Sequence, residues 1–219
     1  MTPHDAAGTG AARFVSRGGD KLQAAIERFG VDVGGKRALD AGASTGGFTD
    51  CLLANGAAEV VAADVAYGIL AWTLRNDDRV RVLERTNVRT LDAGSTGGKV
   101  DLVVADLAFI SLRTVRDALL AVCKEHATLL LLVKPQFEAP KAHVARGGVV
   151  RDAGVWRSTM HSVADAYRDS GCTVLGACAS PLTGPAGNRE FFLYLQSPPS
   201  VEAAAAPDEV FDTAIAEAP

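Results

Sequence analysis

Aromatic residues are scarce in this 219-residue chain, at 6%, and there are only four cysteines. Cys51, Cys123, Cys172 and Cys178 form no CxxC pair and none of the spacings that tetrahedral zinc requires, which excludes a zinc ribbon and a disulfide-stapled scaffold. They read as small buried hydrophobes of a reducing compartment. His4, His126, His143 and His161 show no HxxxH or comparable spacing, so neither a metal site nor a Ser-His pair is expected. No run of 18 apolar residues and no basic-apolar leader occurs. That leaves out a membrane span and a secretory signal, and the expected location is the cytoplasm. Neither sign of charge dominates. The formal net charge is −4, yet five of the 26 acidic residues follow Ser197 in a stretch without Lys or Arg, leaving 22 basic and 21 acidic residues in positions 1–196. Such a balance decides nothing about a nucleic-acid partner.

Glycine, by contrast, is plentiful at 22 residues, and a hydrophobic content of 48% is enough for the core of one domain. Residues 1–14 are expected to be disordered, 15–196 to form the domain, and 197–219 to be a flexible acidic tail. Within the domain, Leu22, Ala25, Ile26 and Phe29 recur at helical spacing, with Ser16 able to cap the start and Gly30 the end. Apolar runs at Arg37–Ala41, Val60–Val65, Val80–Leu83, Leu102–Ala105, Leu129–Val133, Thr173–Ala179 and Phe191–Leu195 predict seven strands. Helical patterns at Phe48–Asn55, Ile69–Arg75, Thr114–Cys123 and Val155–Ser170 alternate with them. Strand-helix alternation with short connections predicts a doubly wound, mostly parallel α/β sheet. No helical pattern separates the last two strands, so they are expected to pair antiparallel. This profile resembles the Rossmann-like domain of class I methyltransferases.

After the first strand comes Asp40-Ala41-Gly42-Ala43-Ser44-Thr45-Gly46-Gly47-Phe48, a turn whose glycines permit close backbone approach to a ligand. Its spacing, G-x-x-x-G-G, is neither a dinucleotide fingerprint nor a P-loop, which disfavours a diphosphate. The second strand ends in Asp64, where a doubly wound fold places a carboxylate on ligand ribose hydroxyls. An ordinary glycine-rich turn and a solvated strand-end carboxylate would give the same pattern. Together, however, they fit a nucleoside cofactor without a diphosphate, namely S-adenosylmethionine, released as S-adenosylhomocysteine. Its ribose is expected at Asp64, its amino-acid end at Gly42–Gly47, and its adenine near Thr86 and Asn87.

Further polar residues border apolar runs: Asp106 after the fourth strand, Lys134 after the fifth and Glu190 before the last. Lys21 on the first helix can reach the same rim. Lys134 is the candidate base for a hydroxyl acceptor, with Asp106 and Glu190 orienting it and Lys21 holding the hydroxyl. Two exposed ion pairs of little energetic weight would show the same residues.

The motifs VSRGGDKL, LDAGASTGGFTDCLL, AADVAYGILAW, VLERTNVR, DLVVADLAFISL, LVKPQFE, GGVVRD and SPLTGPAGNREFF, in this order, resemble the TlyA (hemolysin A-like) branch of the FtsJ-type RNA ribose 2′-O-methyltransferases. The resemblance spans about Val15 to Leu195. It implies a catalytic Lys-Asp-Lys-Glu tetrad at Lys21, Asp106, Lys134 and Glu190, a cofactor site at Asp40–Phe48 and Asp64, and ribosomal RNA as partner. The family's small N-terminal RNA-binding domain has no counterpart in the motifs found. Three positions also depart from the family pattern: Ala66 stands where it has Gly, Ile69 where it has Gln, and Ala108 where it has Ser. Loss of the Gln and the Ser makes the pocket edge more apolar, which keeps open a small-molecule acceptor or a cofactor-binding relative with a repurposed pocket. A membrane-active hemolysin finds no support, since no amphipathic segment carries a basic polar face.

Overall fold

The computed structural model describes residues 13–184, 186–199 and 205–219. In chain order the elements are α1 (Gly18–Phe29), β1 (Arg37–Ala41), α2 (Gly47–Ala54), β2 (Glu59–Ala63), α3 (Trp72–Arg75), β3 (Val80–Leu83), α4 (Ala93–Thr96), β4 (Val100–Ala105), α5 (Leu112–Ala121), β5 (Cys123–Val133), α6 (Pro135–Glu138), α7 (Ala153–Arg168), β6 (Thr173–Ala179), β7 (Phe191–Gln196) and α8 (Glu209–Ala216). The seven strands form one sheet of order β3-β2-β1-β4-β5-β7-β6. All neighbours are parallel except β7, which runs antiparallel to both β5 and β6. The expected α/β architecture and its antiparallel last strand are both observed.

Successive side chains of a strand point to opposite faces, and here both faces are covered, so the strands are apolar at nearly every position. Leu129, Leu131 and Val133 of β5 face a core shared with α5, α7 and α8, through Leu119, Val163, Tyr167 and Phe211. Leu130 and Leu132 face the other core, with Leu22, Ile26, Phe48 and Leu52 of α1 and α2. All four cysteines are free and buried in these layers. Burial pushes the thiols of Cys51, Cys123 and Cys178 up to about 12 and that of Cys172 to about 11, which leaves them unreactive.

Three expectations are corrected. The disordered start was expected to reach residue 14; residues 1–12 lie outside the described part, but Phe14 is buried against Gly19. Ser16 does not cap α1 with its side chain, because its hydroxyl sits over Gly47, where an added Cβ would come within 2.2 Å. The acidic tail packs over its described residues 205–219: Phe211 and Ala214 of α8 enter the core, and Ala206 N–H donates to Val174 O at 2.9 Å on the outer strand. Asp208, Asp212 and Glu217, which suggested a solvated tail, pair with Arg168, Arg157 and Arg28.

Candidate active site

The sheet order reverses between β1 and β4, whose connections leave in opposite directions and open a crevice at their carboxyl ends. Gly42 follows β1 there at φ +88°, and an added Cβ would stand 2.5 Å from the Asp106 carbonyl oxygen after β4. Only glycine lets the two strand ends approach this closely. Gly46 serves a different contact, its missing Cβ making room for Leu74 of α3.

Two clefts meet at this junction. One, of about 270 Å³, is lined by Ser16, Arg17, Lys21, Phe48, Asp106, Lys134, Thr183 and Glu190, among others. The second, of about 520 Å³, is lined by Asp64, Val65, Ile69, Asn87, Arg89, Leu107, Ala108 and Phe109, among others. Gly42, Ser44 and Asp106 belong to both.

The smaller cleft brings together Lys21, Asp106, Lys134 and Glu190 as two ion pairs. Lys21 Nζ lies 2.5 Å from Glu190 Oε2, with side chains only 10% and 1% exposed. Lys134 Nζ lies 2.5 Å from Asp106 Oδ1, a contact of opposite charges without hydrogen-bond alignment. Glu190, expected to orient Lys134, therefore holds Lys21 instead. Its position has a cause in the sheet: because β7 is antiparallel, it begins at the rim where β5 ends, and Val133 pairs with Phe191. Burial also separates these pairs from ordinary surface ion pairs, since charges removed from water must be satisfied by each other.

In the larger cleft, Asp64 is already engaged. Its Oδ2 accepts the Ser44 N–H and its Oδ1 the Ala66 N–H, each at 2.8 Å, tying the turn after β1 to the loop after β2. A carboxylate has about four acceptor positions, so capacity for ligand hydroxyls remains. Asn87 lines the cleft and accepts the Arg89 N–H at 3.0 Å. Thr86 does not line it; its hydroxyl donates to Glu84 O. With the apolar wall of Val65, Ile69 and Leu107, this set suits a nucleoside: hydroxyls at one end and a flat, weakly polar ring at the other.

Asp40 lines neither cleft and lies wholly buried beneath the turn. Its Oδ2 accepts the Thr49 hydroxyl at 2.7 Å, while Oδ1 has no partner among the described residues. Burial raises its pKa to about 7, only partly offset by Thr49. Ser16 and Thr183 are cleft residues that the sequence reading does not single out; their nearness to Lys21 and Glu190 inside the VSRGGDKL and SPLTG motifs is the signal that could have found them. The Arg116 guanidinium donates to the Ala166 carbonyl and to the Asp117 carboxylate.

The FtsJ-like methyltransferase family model matches residues 14–197. The "16S/23S rRNA (cytidine-2′-O)-methyltransferase TlyA" of Mycobacterium tuberculosis is 55% identical over 184 residues, which cover 84% of this chain and 69% of that protein. A hemolysin-type protein of Streptococcus thermophilus superposes with a TM-score of 0.88 at 37% identity, covering 96% of this chain and 77% of that one. The fold is shared more widely. N-methyltransferase NodS of Bradyrhizobium japonicum, solved with S-adenosyl-L-homocysteine, has a TM-score of 0.59 at 14% identity, over 81% of this chain and 86% of that one. The chain thus belongs to the FtsJ-like methyltransferase family.

Proposed function

We propose that this protein transfers a methyl group from S-adenosylmethionine to a ribose 2′-hydroxyl of ribosomal RNA, working in the cytoplasm with Lys21, Asp106, Lys134 and Glu190 as its catalytic set. The observation that carries this reading is the meeting of the four side chains in one cleft that shares Asp106 with the larger cleft. The activity named for the relative at 55% identity supports the same substrate class. No helix among the described residues is long and apolar enough to cross a membrane.

When bound, S-adenosylmethionine supplies an electrophilic methyl group on a positively charged sulfur. The larger cleft is assigned to its nucleoside, with Asp64 accepting from ribose hydroxyls and Asn87 beside the base. The turn residues that line the smaller cleft, Gly42, Ala43, Ser44, Thr45, Gly47 and Phe48, are assigned to its amino-acid end, with Asp40 and Gly46 shaping the turn from beneath. A sugar hydroxyl is a weak nucleophile and must lose its proton as it attacks. Lys134 is assigned to accept that proton at Nζ, and Asp106 fixes the amine. Lys21, held by Glu190, donates to the hydroxyl oxygen and orients it. Placing the hydroxyl in line with the methyl group is the larger part of the task, since the leaving thioether is already activated.

Ile69 and Ala108 line the larger cleft, the one assigned to the cofactor, and a small-molecule acceptor is the second reading. Transfer of radiolabelled methyl groups to purified ribosomal subunits and total RNA separates the two. The wild-type protein should label RNA, and Lys134→Ala should lose at least about 100-fold in rate, the usual contribution of a general base, while still binding cofactor. Absence of label with cofactor binding intact would favour the small-molecule acceptor. Retention of most activity in Lys134→Ala would remove the base assignment.

A further inference from the structure

Among the described residues the buried charged side chains are Lys21, Asp40, Glu138 and Glu190. Lys21 and Glu190 belong to the proposed catalytic set and Asp40 lies beneath the turn after β1; Glu138, which closes α6 four residues after Lys134, belongs to neither. Its carboxylate is filled by donors from a different segment, the start of α5. Oε1 accepts the Leu112 N–H at 2.6 Å, and Oε2 accepts the Ser111 hydroxyl at 2.5 Å and the Arg113 Nε–H at 3.3 Å. The Arg113 guanidinium also donates to the Glu138 backbone carbonyl at 3.0 Å. A carboxylate from one segment thus occupies the positive end of a helix belonging to another.

The linker between β4 and Ser111 is Asp106–Ile110, which begins with the cleft carboxylate and forms part of the larger cleft's wall. Two further contacts join this linker to the segment 134–138. At one end Lys134 pairs with Asp106. Midway, the Phe109 and Phe137 rings lie 5.1 Å apart, with Phe109 held at φ +63°. Glu138 forms the far rung of this three-rung ladder, and it is the rung with hydrogen bonds. Removing it frees the far end of a five-residue linker whose near end must stay in register with Lys134.

We propose that Glu138 is a positioning residue: by clasping the first turn of α5 it sets where Asp106 stands against Lys134 and holds the wall of the cofactor cleft. The catalytic half of this statement rests on the assignment of Lys134 as base; the cleft-wall half does not.

The test compares Glu138→Ala, Glu138→Gln and Ser111→Ala in full-length protein, reading kcat, KM for RNA, affinity for S-adenosylhomocysteine by calorimetry, and melting temperature. Glu138→Ala should lower kcat between about 10- and 100-fold, the effect of a small misplacement of reacting groups, with KM for RNA within about twofold. Affinity for S-adenosylhomocysteine should fall about 3- to 10-fold, a loss typical of one coupled contact. Glu138→Gln should recover most of both, since its amide oxygen still accepts the Leu112 N–H and its amide nitrogen can donate to Ser111. Adding Ser111→Ala to Glu138→Ala should cost nothing more in kcat or cofactor affinity, because both remove the same rung, and should lower only the melting temperature further, because the Ser111 hydroxyl also caps α5 by accepting the Arg113 N–H. A Glu138→Ala protein that melts earlier but keeps wild-type kcat and cofactor affinity below its melting temperature would overturn the proposal and leave a plain helix cap. If Lys134→Ala proves active, or RNA takes no label, the cofactor affinities still decide the cleft-wall half by themselves.

Discussion

Asp40 sits at the first strand end, and its environment makes a pH-dependent claim on stability. Its folded pKa of about 7 stands above the ordinary 3.8 of the unfolded chain. Between these values the folded protein binds a proton that the unfolded chain releases, so this contribution to stability falls as pH rises and levels off above about 7. Full ionisation of the buried group costs on the order of 4 kcal/mol by that linkage. The carboxylates held below their usual range, such as Asp77 at about 2, are ionised in both states at these pH values and do not compete. The melting temperature should therefore drop from pH 5 to pH 8, and Asp40→Asn should flatten that drop; equal slopes would show that Asp40 carries no buried charge at pH 8. The sequence made this residue legible as part of a strand-end turn, but not its burial, which depends on how α2 covers it through Thr49. The same limit applies to the tetrad. Membership of the rim follows from strand ends, whereas pairing follows from side-chain reach across it, and Lys21 finds its partner 169 residues away.

Long periodic elements were readable and short ones were not. α1, α2, α5, α7 and six of the seven strands appear within a few residues of their expected places, because an apolar stripe or run persists over several turns or pairs; β5 begins at Cys123, six residues before the expected Leu129, since its polar first half carries no apolar run. The four-residue α4 and α6 carry too few positions to show a period, and the C-terminal helix was hidden by its charge. In α8, Val210, Phe211, Ala214 and Ile215 do form an apolar stripe, but five carboxylates in the surrounding tail suggested solvent. Energetics rank these features in the opposite order. The ion pairs of Asp208, Asp212 and Glu217 are exposed and each contributes roughly 0–1 kcal/mol. Phe211 is fully buried, with the His161 ring edge-on at 4.6 Å. Phe211→Ala should destabilise the fold by about 3–5 kcal/mol in urea titration, while Asp212→Asn should stay within about 1 kcal/mol. A reversed order would mean that charge rather than packing docks the helix.

Across the whole molecule, net charge and local charge diverge. The chain carries −4, yet three carboxylates of α8 and its flanks are matched by arginines of α1 and α7, and Arg17 and Arg89 remain at the cleft walls. Arg85 lies over the exposed Tyr67 ring at 4.3 Å near the same rim. Were three such cations to meet phosphates of single-stranded RNA, affinity should fall about 10- to 20-fold between 50 and 200 mM salt, measured by fluorescence anisotropy. A flat response would mean that RNA is not held through its backbone at this rim. The sheet order bears on time as well as on shape. β7 is the last strand to be synthesised, yet it lies inside the sheet, between β5 and β6. Until residues 191–196 arrive, those two strands cannot be bridged, and late, long-range strand insertion of this kind is slow compared with local helix formation. Glu190 enters with that strand, so the Lys21–Glu190 pair closes only when the sheet itself does. If the proposed tetrad is the catalytic set, a chain without β7 lacks one of its four members and stays silent until the strand that completes the sheet arrives.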